Sequence, residues 1–224
     1  MSGSPQRLIA ELLGSLLLAG AVIGSGILGE RLADGNAAIA LLANTAATAA
    51  MLFVLITAFA EISGAHFNPV VTLVMAMRRA LKPGVAMLYV VVQIAGCIAG
   101  ALLAHAMFEL PLVQQGTQDR SGLSQALSEA VAAFALVLTI LLVSRARPSA
   151  TAGAVALVIA AGYWWTASTS FANPAITLAR AMSDTFAGIR PTDVPLFIGA
   201  QTLGALTAAG VASFLGEGRS AERS

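Results

Sequence analysis

Few residues in this chain have side chains suited to chemistry inside an apolar setting: Glu11, Glu129, His66, His105, Cys97 and two asparagine–proline pairs, Asn68-Pro69 and Asn173-Pro174. The pairs sit in superposable segments, SGAHFNPVVTLVMAMRRA from Ser63 and TSFANPAITLARAMSDTF from Thr169. Aligning the asparagines also aligns Thr72 with Thr177, Leu73 with Leu178, Ala76 with Ala181 and Met77 with Met182. Asparagine is a favoured helix N-cap, and proline fits the first helical position because its missing N–H would be unpaired there anyway. Each pair therefore starts a helix of about ten residues, roughly 15 Å or half a hydrocarbon core. Irregular backbone at that depth survives only when buried in protein or lining a water-filled cavity. The loops leading into these half-helices are thus expected to form a pore wall, with carbonyls that replace solute hydration.

The match extends outward. Glu11 and Glu129 are isolated carboxylates in the first apolar run of each half, and Gln93-x-x-Gly96 is echoed by Gln201-x-x-Gly204. Each half reads as span, span, Asn-Pro segment, span. Three spans is an odd number, so the second half enters from the opposite face, giving an inverted repeat with its working site near the bilayer midplane. The repeats cover about 8–108 and 123–215 of a single transmembrane domain spanning 1–224.

The spans that must position these groups follow from composition. The chain is 58% hydrophobic and 10% charged, against roughly 25% charged in soluble domains. Six windows approach the about 20 apolar residues needed to cross a bilayer: Leu8–Leu28, Ala37–Glu61, Gly84–Phe108, Leu123–Val143, Ala150–Ser168 and Val194–Leu215. An all-α integral membrane protein follows, with six spans plus two re-entrant half-helices and both termini on one side. Arg7, Arg78, Arg79, Lys82, Arg145, Arg147, Arg219 and Arg223 share the side of the termini, against Arg31, Arg120, Arg180 and Arg190 opposite. The positive-inside rule places the termini in the cytoplasm, hence a multi-pass inner-membrane protein. No small-residue cleavage site closes the first apolar run, which reads as an uncleaved span. The tail GEGRSAERS reads as disordered.

Several function classes drop out. Cys97 is alone, so neither a disulfide framework nor a cysteine metal site is expected, and no metal or cofactor is implied. No Ser-His pair, paired aspartate or His-Glu arrangement occurs at helical spacing within the spans, which disfavours an enzyme. The basic residues are few and explained by topology, which leaves nucleic-acid binding without support. His105 reads as an interfacial histidine rather than a ligand.

The segments SGAHFNPVVTL and FANPAITLAR, with their flanking glutamates, resemble the paired Asn-Pro-Ala boxes of the aquaporin, or major intrinsic protein, family over nearly the whole chain. The resemblance implies a right-handed bundle with one pore per subunit, assembled as a homotetramer in the lipid bilayer and passing small neutral solutes. It implies a pore midplane formed by Asn68, Pro69, Val70, Asn173, Pro174 and Ala175, with both asparagines donating amide N–H groups to solute. The positive ends of both half-helices would converge there and repel cations. By the same resemblance, Glu11 and Glu129 brace the loops as buried acceptors, and His66 lines the cytoplasmic half.

The sequence departs from that pattern at two places. The first box has Val70 where alanine is usual, a small enlargement expected to leave the asparagines in place. After the second box, Ile176 stands where most of the family carries an arginine that guards the outer constriction. Counting from the boxes gives Thr48, Ala161 or an immediate neighbour, and Ser170 as the other constriction positions. These are small residues, which predicts a wide, partly apolar aperture without a local charge barrier. Arg180, one turn beyond Ile176, either reaches the outer vestibule or is solvated and paired with Asp184. The stretch from Ser168 to Gly188 also resembles a bacterial subgroup associated with arsenic-resistance gene clusters, which suggests uncharged arsenous acid or glycerol-like solutes. The competing readings are an ordinary water channel and a proton-coupled secondary transporter, the latter because inverted repeats and buried glutamates also occur in carriers.

Overall fold

A computed structural model describes residues 4–221, with side chains described to Gly216. Among the described residues the chain folds as α1 (Pro5–Leu32), α2 (Ala37–Ser63), α3 (Pro69–Met77), α4 (Pro83–Met107), α5 (Leu123–Ala146), α6 (Thr151–Trp165), α7 (Pro174–Arg180) and α8 (Val194–Ala221). Helices are what an apolar solvent demands, since every backbone N–H and C=O must be paired within the segment. Their starts are marked locally. Asn36 caps α2 by accepting from the N–H groups of Ala38 and Ile39, and α1 and α4 begin with Pro5 and Pro83. Helix α2 stops at Gly64, whose φ of +91° is a left-handed conformation that glycine adopts without a Cβ penalty.

Helices α1, α2, α4, α5 and α8 are long and apolar enough to cross a membrane. The window Ala150–Ser168 predicts a fifth span of similar length, but α6 has 15 residues, about 22 Å. It stops because Thr166 turns to extended backbone, and the chain then runs inward toward the second Asn-Pro pair. Helix α8 continues to Ala221, so the first part of the tail is helical where the sequence predicts disorder; residues 222–224, including Arg223, lie outside the described residues.

The two halves are built alike. Helix α1 packs along α4, and α5 along α8, each crossing held close by the repeated glycine. A Cβ on Gly96 would collide with the Leu12 carbonyl, and one on Gly204 with the Ala130 carbonyl. Large apolar side chains such as Leu42, Phe53, Leu157 and Phe214 point outward, as lipid requires. The interior holds small residues and the buried polar groups Glu11, Glu129, Gln93 and Gln201.

Candidate functional site: a channel between two half-helices

Helices α3 and α7 meet at their N-terminal ends. Asn68 Oδ1 accepts from the N–H of Val70, and Asn173 Oδ1 from those of Ala175 and Ile176, so each carbonyl caps its own half-helix. Each amide nitrogen reaches across: Asn68 Nδ2 donates to the Ala172 carbonyl and Asn173 Nδ2 to the Phe67 carbonyl, both at 2.8 Å. A carboxamide carries two N–H groups, and this pairing uses one on each residue. Both asparagines line the central cavity, and the second N–H of each has no protein partner among the described residues. Val70 and Ala175 are buried behind them, and the crosswise bonds hold with valine in the first box.

The loops before the asparagines are held in unusual backbone. Ala65 and Phe67 have φ near +50°, and so do their counterparts Ser170 and Ala172. Left-handed conformations at non-glycine residues cost about 1–3 kcal/mol each and persist only where surrounding contacts impose them. The two glutamates supply those contacts. Glu11 accepts from Ser63 Oγ (2.6 Å), His66 N (2.9 Å), Phe67 N (2.8 Å) and Gln93 Nε2 (2.8 Å). Glu129 accepts from Ser168 Oγ (2.6 Å), Phe171 N (2.8 Å), Ala172 N (2.9 Å) and Gln201 Nε2 (2.6 Å). Both are fully buried, and all four lone-pair sites of each are occupied. The serines five residues before each asparagine complete this set, and sequence reasoning missed them although their spacing repeats.

The glutamines extend the brace, Gln93 donating to Thr72 and Gln201 to Thr177, each at 2.9 Å. Here the halves diverge. Thr177 returns its proton to the Asn173 carbonyl, whereas Thr72 Oγ lies 3.0 Å from His66 Nδ1. Thr72 thus ties the Gln93 amide to the imidazole. His66 also lines the cavity.

One cavity of about 100 Å³ runs between the half-helices, lined near the side of the termini by Met75 and Ile140 and near the opposite side by Phe171 and Arg180. Thr48, Ser170 and Ile176 line it as well. Ala161 does not: it faces outward from α6, and the residues that α6 turns inward are Val155, Ile159 and Tyr163. These recur every four residues, so Ala161 falls on the other face. Counting back from the box presumes a fixed loop length, which the inward run from Thr166 does not keep. Tyr163 presents its hydroxyl 3.3 Å from Thr48 Oγ, so an aromatic ring flanks an aperture expected to have small walls. Arg180 is 3% exposed and makes no ion pair with Asp184 among the described residues; Asp184 accepts instead from Thr117 Oγ. The outer mouth therefore has a cation in its wall.

His105, in the last turn of α4, is fully buried and held by protein, with Nδ1 2.8 Å from the Leu112 carbonyl and Nε2 2.9 Å from Ser183 Oγ. Cys97 is a buried core residue facing the Ser15 carbonyl.

The segment between α4 and α5 is tied to the one between α7 and α8 through Arg190–Asp119 (2.8 Å) and Arg120 Nε to the Gly188 carbonyl (2.8 Å). The N–H and hydroxyl of Ser121, helped by Arg190, hold the exposed Asp119 carboxyl below its usual range. A lowered folded-state value means that this contribution is present above the unfolded value, about 3.9, and lost as pH falls through the lowered one. A carboxyl-carbon NMR titration of Asp119 is expected to show a midpoint below about 3.9 that rises in Ser121→Ala. A midpoint at or above the ordinary value would contradict this clamp.

The profile of the major intrinsic protein family matches residues 2–163, a stretch ending before the second Asn-Pro pair. The aquaglyceroporin AqpS of Rhizobium meliloti (strain 1021) is 51% identical over 203 residues, 91% of this chain and 87% of that protein. A probable aquaporin, PIP2-8, of Oryza sativa subsp. japonica is 37% identical over 99 residues, 44% of this chain and 35% of that one. In structure, the aquaglyceroporin from Plasmodium falciparum aligns with a TM-score of 0.69 over 92% of this chain and 93% of that one, at 18% identity. The chain belongs to the major intrinsic protein family. It is a multi-pass integral membrane channel and not an enzyme.

Proposed function

We propose that this chain is a passive inner-membrane channel for small uncharged solutes bearing several hydroxyls, glycerol and arsenous acid among them, with water permeating alongside. The observation that carries this reading is the aliphatic Ile176 in the wall of a cavity whose midplane offers two asparagine amides. An apolar wall at that point removes the narrow, strongly hydrophilic passage that favours water alone. The name of the half-identical Rhizobium relative, an aquaglyceroporin, supports it. In this reading Asn68 and Asn173 receive solute at the midplane, and Thr48, Ser170, Ile176 and Tyr163 shape the outer constriction. His66 lines the inner half, and Glu11 and Glu129 hold the loops. The subunits form a homotetramer with cytoplasmic termini, an orientation supported by the basic residues at the span ends. Flux follows the gradient, so a cell producing arsenous acid internally loses it through the same pore.

The test is stopped-flow flux in proteoliposomes for water, glycerol and arsenous acid, with and without a pH gradient. Glycerol and arsenous acid are expected to cross, independent of the gradient, and Ile176→Arg to slow both by roughly tenfold while sparing water, because it narrows and charges the passage. Water flux alone, or flux that tracks the proton gradient, would overturn the reading in favour of a water pore or a carrier.

A further inference from the structure

We propose that Arg180 is a specificity-determining residue of the outer mouth, supplying from one helical turn farther out the charge and the donor fork that Ile176 lacks. The proposal rests on the neutral-solute reading above. Four residues separate Ile176 and Arg180 on α7, so the two share a helix face, and both line the same cavity. A solute entering from that mouth would meet the arginine before Ile176.

Its side chain is fixed rather than free. The guanidinium carbon lies 3.3 Å from the centre of the Phe171 ring, and Nε donates to the Ala187 carbonyl. The two terminal nitrogens make no hydrogen bond to protein among the described residues, yet they are not sealed in, since buried side-chain atoms lacking a partner do not include them. Arg180 as a whole is 3% exposed and lines the cavity.

No carboxylate pairs directly with this charge among the described residues, and the buried Glu129 acts on it only from a distance. Among the described residues both ion pairs belong to Arg190. The nearest other cation, Arg120, sits 4.9 Å from the same ring and is held by the carbonyls of Gly188 and Ser168. A buried guanidinium kept only as a prop is costly unless its charge and donors are satisfied by protein. Here the ring and one carbonyl orient the plane, and the remaining donors are left to whatever occupies the cavity.

The chemistry of such a fork defines its ligand. A planar pair of N–H donors matches two oxygens on one face of a molecule, as in a vicinal diol or two hydroxyls on one metalloid centre. Its charge, without an ion-pair partner, opposes cations, hydronium included. A polyol would exchange hydration for these donors, cross the apolar step at Ile176, and reach the asparagines one turn deeper. Ile176 widens the passage, and Arg180 keeps it selective.

The experiment compares wild type, Arg180→Lys and Arg180→Leu in proteoliposomes, reading the glycerol-to-water permeability ratio and the proton leak reported by entrapped pyranine. Arg180→Leu is expected to raise the leak by roughly tenfold or more, because the fixed charge has gone. Arg180→Lys is expected to keep the leak low but lower the glycerol-to-water ratio severalfold, since an ammonium is a point charge without the planar fork. Wild-type ratio and leak in both variants would overturn the proposal and leave Arg180 as a prop for the Ala187 carbonyl. If Arg180→Leu does not fold, an unchanged ratio in Arg180→Lys overturns it alone. A wild type that passes water but no glycerol defeats the neutral-solute reading instead, and the leak of the variants still decides on Arg180.

Discussion

Glu129→Gln is expected to remove channel activity and to lower the melting temperature of the detergent-purified protein by roughly 10 °C, several kcal/mol converted at the usual slope for a chain of this size. The reason lies in donor arithmetic. Ser168 Oγ, two loop N–H groups and the Gln201 amide all donate to the Glu129 carboxylate. Glutamine replaces one accepting oxygen by a donor, so two of these four face an N–H instead of a lone pair. Each buried donor left unpaired costs about 1–3 kcal/mol. That loss falls on a loop already holding Thr169, Ser170 and Ala172 at positive φ. Once released, Ala172 no longer presents its carbonyl to Asn68, and the midplane loses one of its crosswise bonds. Glu129→Asp keeps the charge but falls one methylene short, and is expected to lie between. A Glu129→Gln protein with wild-type melting and wild-type glycerol flux would sink the bracing role.

Gly204→Val is expected to be worse, leaving little monodisperse protein after extraction. An added Cβ at Gly204 would overlap the Ala130 carbonyl and crowd the Ala130 Cα at 3.0 Å, so backbone must yield rather than a side-chain tip. Small residues at membrane helix crossings exist to allow this approach. Overpacking costs about 1–3 kcal/mol even where side chains can adjust, and here α5 and α8 would have to separate along the crossing that positions Glu129 against Gln201. Gly96→Val in the first half is expected to behave alike, through the Leu12 carbonyl. Gly210→Ala, with nothing near its added Cβ, is the control. Size-exclusion profiles across a thermal ramp separate these outcomes, and a Gly204→Val profile matching Gly210→Ala would refute the close crossing.

Much of this architecture could be read from residue order, because the features involved are local or repeated. Spans announce themselves by apolar length, and Asn-Pro marks a helix start without reference to anything distant. The repeat also made Glu11, Glu129, Gln93 and Gln201 stand out before their mutual contacts were known. What escaped depended on where the chain runs between elements. The register of α6 against the pore follows from the path of residues 166–172, which no local pattern specifies, so Tyr163 rather than Ala161 faces inward. Arg180 faces the lumen only because Phe171 and Ala187 are brought beside it by folding. The non-glycine left-handed residues before each asparagine are alanine, phenylalanine, threonine and serine, none of which signals such a conformation. The contributions of Ser63 and Ser168 were visible as spacing and became intelligible only with the carboxylates in view.

The crosswise asparagine bonds also bear on ancestry. Each half lends a backbone carbonyl to the other half's amide, Phe67 to Asn173 and Ala172 to Asn68. Neither half can finish its own centre, and each finishes the other's by the same bond. A single ancestral half could therefore have worked only as an antiparallel pair, inserted both ways round in one membrane. With both halves in one chain that reciprocal arrangement is fixed while their sequences differ, one box containing Val70 and the other followed by Ile176.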